Sequence, residues 1–436
     1  MNKKIAVVGA GYCGMSVASE LMKKGFSVHI FEADSKAGGL AKGIKFLDHE
    51  WAIEPFYHHW FNKEKSITDF AKFHSSADLI KTYKPTTSFL ANGGIRSFDS
   101  PHHLFSYPGL SVFDRYKLGI SLAQLRTRKN WEILENVTAE KWLIENMGRK
   151  VYQIMWKPML VGKWGKYYRE INMAWFWARI HSRTKKLMYP EGGFQNFSDS
   201  IVDSLKNSGV KIHFNQEIQS ITTNGEKVNV NFKANNTHEF DAAVLTVGPR
   251  LFLSLVDGLS SKFKKKIGQL KSMGAICGLY VLRKSLLNKT YWLNIPADNV
   301  DILKNDFPFI VLVEHTNMIS TKHYNGQHIV YCGNYIDADS EFLNSSNENL
   351  DKTYFAGMKS LNPTLSESDV VYRHISRTKY ASPVFFTNYS KDLPKFSTSC
   401  KNIYWASMSH VYPWDRGTNY AVDIGKQVAM NIFESN

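Results

Sequence analysis

Residues 4–32, KIAVVGAGYCGMSVASELMKKGFSVHIFE, decide the fold of this 436-residue chain. Ile5–Val8 is an unbroken apolar run that ends in Gly9-x-Gly11-x-x-Gly14. Val17, Ala18, Leu21 and Met22 follow at the three- and four-residue spacing of a helix with one buried face. Gly25 punctuates the end of that helix, and Val28–Phe31 reads as a second strand closed by Glu32, an acid 18 positions past the third glycine. In such a strand–turn–helix–strand frame each glycine has its own task. Gly9 makes the tight turn, Gly11 lets the backbone approach a pyrophosphate, and Gly14 lets the helix close on the sheet with its positive end facing the anion. Ala10, Tyr12 and Cys13 complete the loop. Glu32, with Ala33 beside it, is placed to accept hydrogen bonds from an adenosine ribose. The stretch predicts an α/β, Rossmann-type domain that binds a dinucleotide.

Which dinucleotide is suggested by Gly38-Gly39-Leu40-Ala41, just past Glu32, a second glycine pair that a nicotinamide site does not need. It resembles the extension of the FAD-dependent superfamily of amine oxidases, protoporphyrinogen oxidase, phytoene desaturases and UDP-galactopyranose mutase. Three further stretches are similar to that superfamily: residues 192–221 (glycine pair, helix and strand), 240–250 (a returning strand) and 403–432 (last strand, flavin-contacting loop and closing helix). The resemblance implies a discontinuous FAD-binding domain built from 1–70, 190–250 and 400–436. A mixed α+β substrate domain would come from 71–189, expected to be helical, and 251–399, expected to be sheet-rich through Ala275–Leu282, Phe309–Glu314, His328–Cys332 and Val370–His374. It further implies FAD contacts from Gly38, Gly39 and Leu40, from the backbone at Ile218, and from Tyr412, Asp415, Thr418 and Asn419. Ala421, Ile424, Val428 and Ile432 form one apolar stripe on the closing helix, whose positive end would favour the negative charge of reduced flavin. Ala406-Ser407 stands where many relatives carry Gly-Asp. No second GxGxxG unit follows a later strand, so electrons would pass to oxygen or an external carrier, or the cycle is redox-neutral.

Composition bounds the rest. Hydrophobic residues make up 43% and charged residues 21%, as in ordinary globular proteins. No apolar run approaches the ~20 residues of a spanning helix. The four scattered cysteines, without a CxxC pair, argue against a disulfide framework or a zinc ribbon, and for a reducing cytoplasm; no metal centre is expected. The net charge of +15 is uneven: residues 101–190 hold sixteen basic and six acidic side chains. That surplus suits an anionic partner, either a phosphorylated small molecule or an anionic membrane face, or else it is a solvated helical surface. No nucleic-acid-binding signature accompanies it. The asparagine- and serine-rich stretch 344–349 reads as a surface loop.

Candidate chemistry lies in three places. His58 and His59, in EPFYHHWF, resemble the flavin-side histidine loop of the mutases, and a histidine pair there would shuttle protons near neutral pH; the alternative is a structural role. Lys163-Trp164-Gly165 is similar to the mutases' K-x-W-G segment, with Trp164 as a stacking platform or a core residue. Arg179 and Arg183, with Lys163, are candidate substrate-binding cations, arginine being suited to bidentate phosphate contacts. Six tryptophans among basic residues between 131 and 177 also admit a lipid-facing groove for a prenyl substrate. The leading expectation is an FAD-dependent oxidoreductase whose flavin accepts hydride from a small-molecule substrate. The alternatives are a redox-neutral flavoenzyme acting on a nucleotide-activated sugar and a non-enzymatic flavin-binding redox sensor. Substrate identity and oligomeric state stay open.

Overall fold

A computed structural model of the chain describes residues 3–91, 93–97, 103 and 107–435. The opening stretch folds as expected, with strand Lys4–Val8, helix Tyr12–Lys23 and strand Ser27–Phe31. These strands are the middle of a five-stranded parallel sheet. Its order is Ile403–Trp405, Ala242–Leu245, Lys4–Val8, Ser27–Phe31, Lys211–His213. Parallel strands covered on both faces need apolar residues at successive positions, and the first strand shows why. Ile5 and Val7 enter one core, against helix Tyr12–Lys23 and the closing helix Thr418–Ser435, through Val17, Leu21, Val422 and Val428. Ala6 and Val8 enter the other, against the antiparallel strands Ile218–Thr223, Val228–Phe232 and Thr237–Phe240.

A seven-stranded sheet forms the other half of the molecule. Its order is Val370–Pro383, Ser272–Leu282, His328–Asp337, Val311–Glu314, Thr290–Asn294, Thr86–Ala91, Gly94–Ser97. The four strands expected from sequence are all present, three of them longer than predicted. Helices Val112–Thr127, Ala139–Met147, Lys157–Trp164 and Met173–Ser182 pack over the space between this sheet and the parallel one. Among the described residues no helix is long and apolar enough to cross a membrane.

Two local expectations are corrected. Within the part expected to be helical lie strands Ile80–Tyr83, Thr86–Ala91 and Gly94–Ser97, and Thr86–Ala91 pairs in parallel with Thr290–Asn294, a partner some two hundred residues away that no local pattern announces. The polar stretch 344–349 is also not a simple loop. Ser346 caps helix Asn347–Leu361, its hydroxyl accepting the Asn349 N–H at 3.2 Å.

Candidate active site

The glycine turn leaves its backbone bare along one wall of a cavity. A Cβ at Gly14 would fall 1.9 Å from the Gly9 carbonyl oxygen, so Gly14 is demanded by the close approach of helix and turn. Gly11 differs. Its backbone is extended, at φ −74° and ψ 176°, and a Cβ there would meet nothing nearer than the Gly39 Cα at 3.9 Å. Gly11 and Gly39 pack closely, a Cβ at Gly39 falling 3.3 Å from the Gly11 Cα, and both present bare backbone to the same cavity wall. Glu32 stiffens the loop, accepting the Ala10 N–H at 2.7 Å and the Asp34 N–H at 2.9 Å. Gly9, Gly11, Tyr12, Cys13, Glu32, Gly38, Gly39 and Leu40 open onto one cavity of about 1510 Å³. Ala10, Gly14 and Ala33 lie off its wall. Ile218 is buried beside Phe31 and Phe232, and the backbone leading to it is held at Glu32, where Gln216 donates its N–H to the Glu32 carbonyl at 2.9 Å.

The same cavity gathers cations from three elements. Asp415, in the loop before the closing helix, accepts hydrogen bonds from Lys163 Nζ at 3.1 Å and from an Arg179 guanidinium nitrogen at 2.6 Å. Arg183 and Arg416 share this wall, and among the described residues neither has a carboxylate within ion-pair distance. The Lys163 ammonium is ringed by Tyr335, Trp164 and Trp175 at 4.7, 5.2 and 5.3 Å from their centroids. Burial lowers its pKa to about 7, Arg179 and Arg416 adding to the effect and Asp415 opposing it. Burial would raise the Asp415 carboxyl, but Lys163 and Arg179 overcome it and hold the group near 2. Asp415 thus pairs with two of the four basic side chains and leaves Arg183 and Arg416 unpaired among the described residues. Asp415 sits with Lys163 and Arg179, two residues expected on the substrate side, so its side chain anchors cations there.

Other expected site residues are placed differently. Thr418 lines the cavity and accepts a hydrogen bond from the Trp60 indole N–H. Asn419 turns away, accepting the Ile67 N–H at 2.9 Å, and Tyr412 accepts from the Asn172 amide at 3.1 Å within an aromatic cluster. Trp164 is fully buried, edge-on to Trp175 at 4.9 Å, and does not reach the cavity; it is a core residue and not a stacking platform. Trp175 lines the cavity instead. His58 and His59 do line it, but burial lowers their pKa values to about 4 and about 3, so neither shuttles a proton near neutral pH. The Phe56 carbonyl lies 2.6 Å from His58 Nδ1, which must therefore carry the proton and leave Nε2 as an acceptor. His59 Nδ1 is hydrogen-bonded with the Tyr291 hydroxyl at 3.1 Å.

Comparison with known proteins accords with this arrangement. The family profile described as "Flavin containing amine oxidoreductase" matches residues 12–433. The chain belongs to the flavin-containing amine oxidoreductases. The family is one of flavoenzymes, so this member is an enzyme with a flavin cofactor, and the non-enzymatic alternative falls away. Curated relatives include the 1-hydroxycarotenoid 3,4-desaturase of Flavobacterium sp. (strain P99-3), 20% identical over 65% of this chain and 64% of that protein. The coproporphyrinogen III oxidase of Staphylococcus aureus is 20% identical over 58% of this chain and 62% of that one. The chain thus spans under two thirds of the length of these curated relatives. The fold is shared with a putative protoporphyrinogen oxidase from Exiguobacterium sp. 255-15, at TM-score 0.76 and 13% identity over the whole of both chains. It is also shared with reduced UDP-galactopyranose mutase, at TM-score 0.77 and 15% identity over 100% of this chain and 96% of that one.

Within this amine oxidoreductase several wall residues escaped sequence reasoning. Arg416 adjoins a residue that was singled out, but Tyr57, Glu64 and Tyr335 carry no local signal. Burial raises the Glu64 carboxyl to about 8, so this wall acid keeps its proton at neutral pH. Glu54 is fully buried and positions the histidine loop, accepting the Phe194 N–H at 2.9 Å and two contacts from the Tyr189 hydroxyl. The buried histidines set a pH dependence. His58, His59 and His315 all have pKa values depressed by desolvation, so the unfolded chain binds more protons below about 6.5 and stability is lost as pH falls through that range. Each contributes up to roughly 1.4 kcal/mol per pH unit until its folded pKa is passed. Thermal melts from pH 7 down to about 4.5 should show a falling Tm, with His58→Gln flattening the slope. A Tm independent of pH over that window would contradict the buried, neutral assignment.

Proposed function

We propose that this flavoenzyme is an FAD-dependent oxidoreductase acting on a C–H or C–N bond of a small molecule that carries an anionic group on an apolar body. The observation that carries the reading is the cluster of Lys163, Arg179, Arg183 and Arg416 on the wall of the cavity that the glycine loops also line, where Asp415 pairs with only the first two. Desolvated or half-buried cations in excess of their partners are costly, and an anionic ligand offsets that cost. Trp156, Met159, Leu160, Phe176 and Ile310 supply an apolar stretch of the same wall.

The bare backbone that Gly11 and Gly39 present to the cavity suits a pyrophosphate lying against it, and Glu32 keeps oxygens at the wall for a ribose. We assign FAD to Gly9, Gly11, Tyr12, Cys13, Glu32, Gly38, Gly39 and Leu40, with Thr418 and the backbone near Ile218. When bound, FAD supplies the two-electron acceptor to which a substrate hydride passes. The chain's own part is to hold the anionic end of the substrate at Arg179 and Arg183 and to exclude water with the aromatic wall. Lys163 Nζ exchanges its proton in the neutral range and is placed to hold a proton released by the substrate. Neutral His58, its Nδ1–H donating to the Phe56 carbonyl, presents Nε2 as an acceptor to the substrate. A second reading, a redox-neutral reaction on a nucleotide-activated sugar, is favoured by the same cation cluster.

Two experiments test this. Candidate substrates are added to oxidised and to pre-reduced protein, with and without oxygen. Flavin bleaching by substrate in the oxidised, anaerobic sample supports oxidation, whereas turnover only of the reduced protein without net oxidation selects the second reading. Arg183→Ala removes charge-assisted bonds of about 1.5–3 kcal/mol, expected as roughly ten- to hundredfold weaker binding of anionic ligands with flavin content unchanged. In the wild type the same affinity should fall as pH rises through about 7, where Lys163 loses its charge. Unchanged affinity for phosphorylated and carboxylated ligands in Arg183→Ala and Arg179→Ala would return these arginines to a structural role.

A further inference from the structure

The helix Val112–Thr127 is apolar on more sides than its packing uses. Leu118, Ser121 and Leu125 face the protein core, and Gly119, Leu122, Ala123 and Arg126 line the cavity. On the remaining face Val112, Phe113, Tyr116 and Ile120 are 81%, 65%, 64% and 41% exposed. At about 100° per residue these four span about 100° of the helix circumference, next to the cavity-lining strip, and Ala123 belongs to both. Four large apolar side chains within nine positions are a patch, unlike the scattered singles found on most surfaces. The patch is set in positive charge. Residues 112–129 carry Arg115, Lys117, Arg126, Arg128 and Lys129 against Asp114 alone, and Lys150 lies 4.0 Å from that acid. The Lys117 ammonium sits 4.6 Å above the Phe113 ring, its stem along the apolar face and its charge at the border.

We propose that this face of Val112–Thr127 is a docking surface for an anionic phospholipid bilayer. Phe113, Tyr116 and Ile120 would enter the boundary between headgroups and acyl chains while the basic residues meet lipid phosphates. Apolar area and lipid charge add in such binding. Charge decides the occupant: a second copy of the chain would bring the same positive rim against itself. Because the patch borders the cavity, docking would turn the mouth toward the bilayer. The inference does not depend on which reaction the site performs.

The test uses the flavin-loaded protein in co-sedimentation with vesicles of phosphatidylcholine alone, and of phosphatidylcholine with about 30% phosphatidylglycerol, at about 0.1 M salt. The expected result is partition onto the anionic vesicles at least about tenfold stronger than onto neutral ones, weakening as salt is raised. F113S/Y116S/I120S should lose at least about tenfold of that partition while retaining bound flavin. K117E/K129E alters charge alone; it should lose partition onto anionic vesicles, and it carries the test if the triple variant fails to fold. Failure of the wild type to bind anionic vesicles, or equal partition of the wild type and K117E/K129E, would overturn the proposal. So would conversion of a dimer to a monomer in the triple variant with vesicle partition unchanged.

Discussion

Gly11→Val will purify folded and colourless. Valine favours the extended backbone that Gly11 adopts, and a Cβ there has only the Gly39 Cα in contact, at 3.9 Å. The protein therefore accommodates the side chain, but a pyrophosphate lying against the glycine backbone at the cavity wall cannot. Flavin content should drop from near equimolar to undetectable. Tm should fall only by the share that ligand binding contributes, about 2.7 kcal/mol if the flavin stands at a hundred times its dissociation constant. Gly14→Val is the control with the opposite cause. Its Cβ would collide with the Gly9 carbonyl, so it should lose the fold and not merely the flavin. Equal flavin occupancy in Gly11→Val and wild type, measured by absorbance against protein concentration, would refute the assignment of the pyrophosphate to this glycine wall.

Asp415→Ala should be the most damaging single change on the cation wall. It leaves Lys163 and Arg179 without their ion-pair partner, beside Arg183 and Arg416, which have none among the described residues. Breaking a buried ion pair costs several kcal/mol, and because Asp415 keeps 24% of its side chain exposed the expected loss is about 3 kcal/mol, the low end of that range. Lys163→Met in the same background should recover part of the loss, since it removes one stranded charge. The sign with pH follows from the depressed carboxyl: the stabilisation is complete above about 4 and is lost as pH falls through about 2. Chemical denaturation of the single and double variants measures this. If Asp415→Ala matches wild type within about 0.5 kcal/mol, the cluster is solvated and the case for an anionic substrate loses its main support.

What could be read from sequence was what is local. Strand Lys4–Val8, the glycine turn, helix Tyr12–Lys23 and the apolar stripe of the closing helix are written within a few residues of one another, and the strand and helix periods reveal them. The partnership of Asp415 with Lys163 and Arg179 joins positions 252 and 236 residues apart, and no pattern in either segment states it. Sequence marked all three residues but divided them between cofactor and substrate. The histidines were visible as a pair, yet their protonation is a property of burial, which only the assembled cavity sets. Trp164 and Trp175 are alike as letters, and only the direction each takes from its helix makes one a core residue and the other a wall. The strand Thr86–Ala91 was overlooked because its partner comes from the far side of the chain.

The central claim, that this cavity holds FAD through backbone contacts at its two glycine pairs, is tested most directly by acid precipitation of the purified protein. Chromatography of the supernatant then identifies the released flavin and compares its amount with the protein. The account predicts FAD, released without proteolysis and close to equimolar with the chain. A colourless protein that takes up no FAD on reconstitution would contradict it.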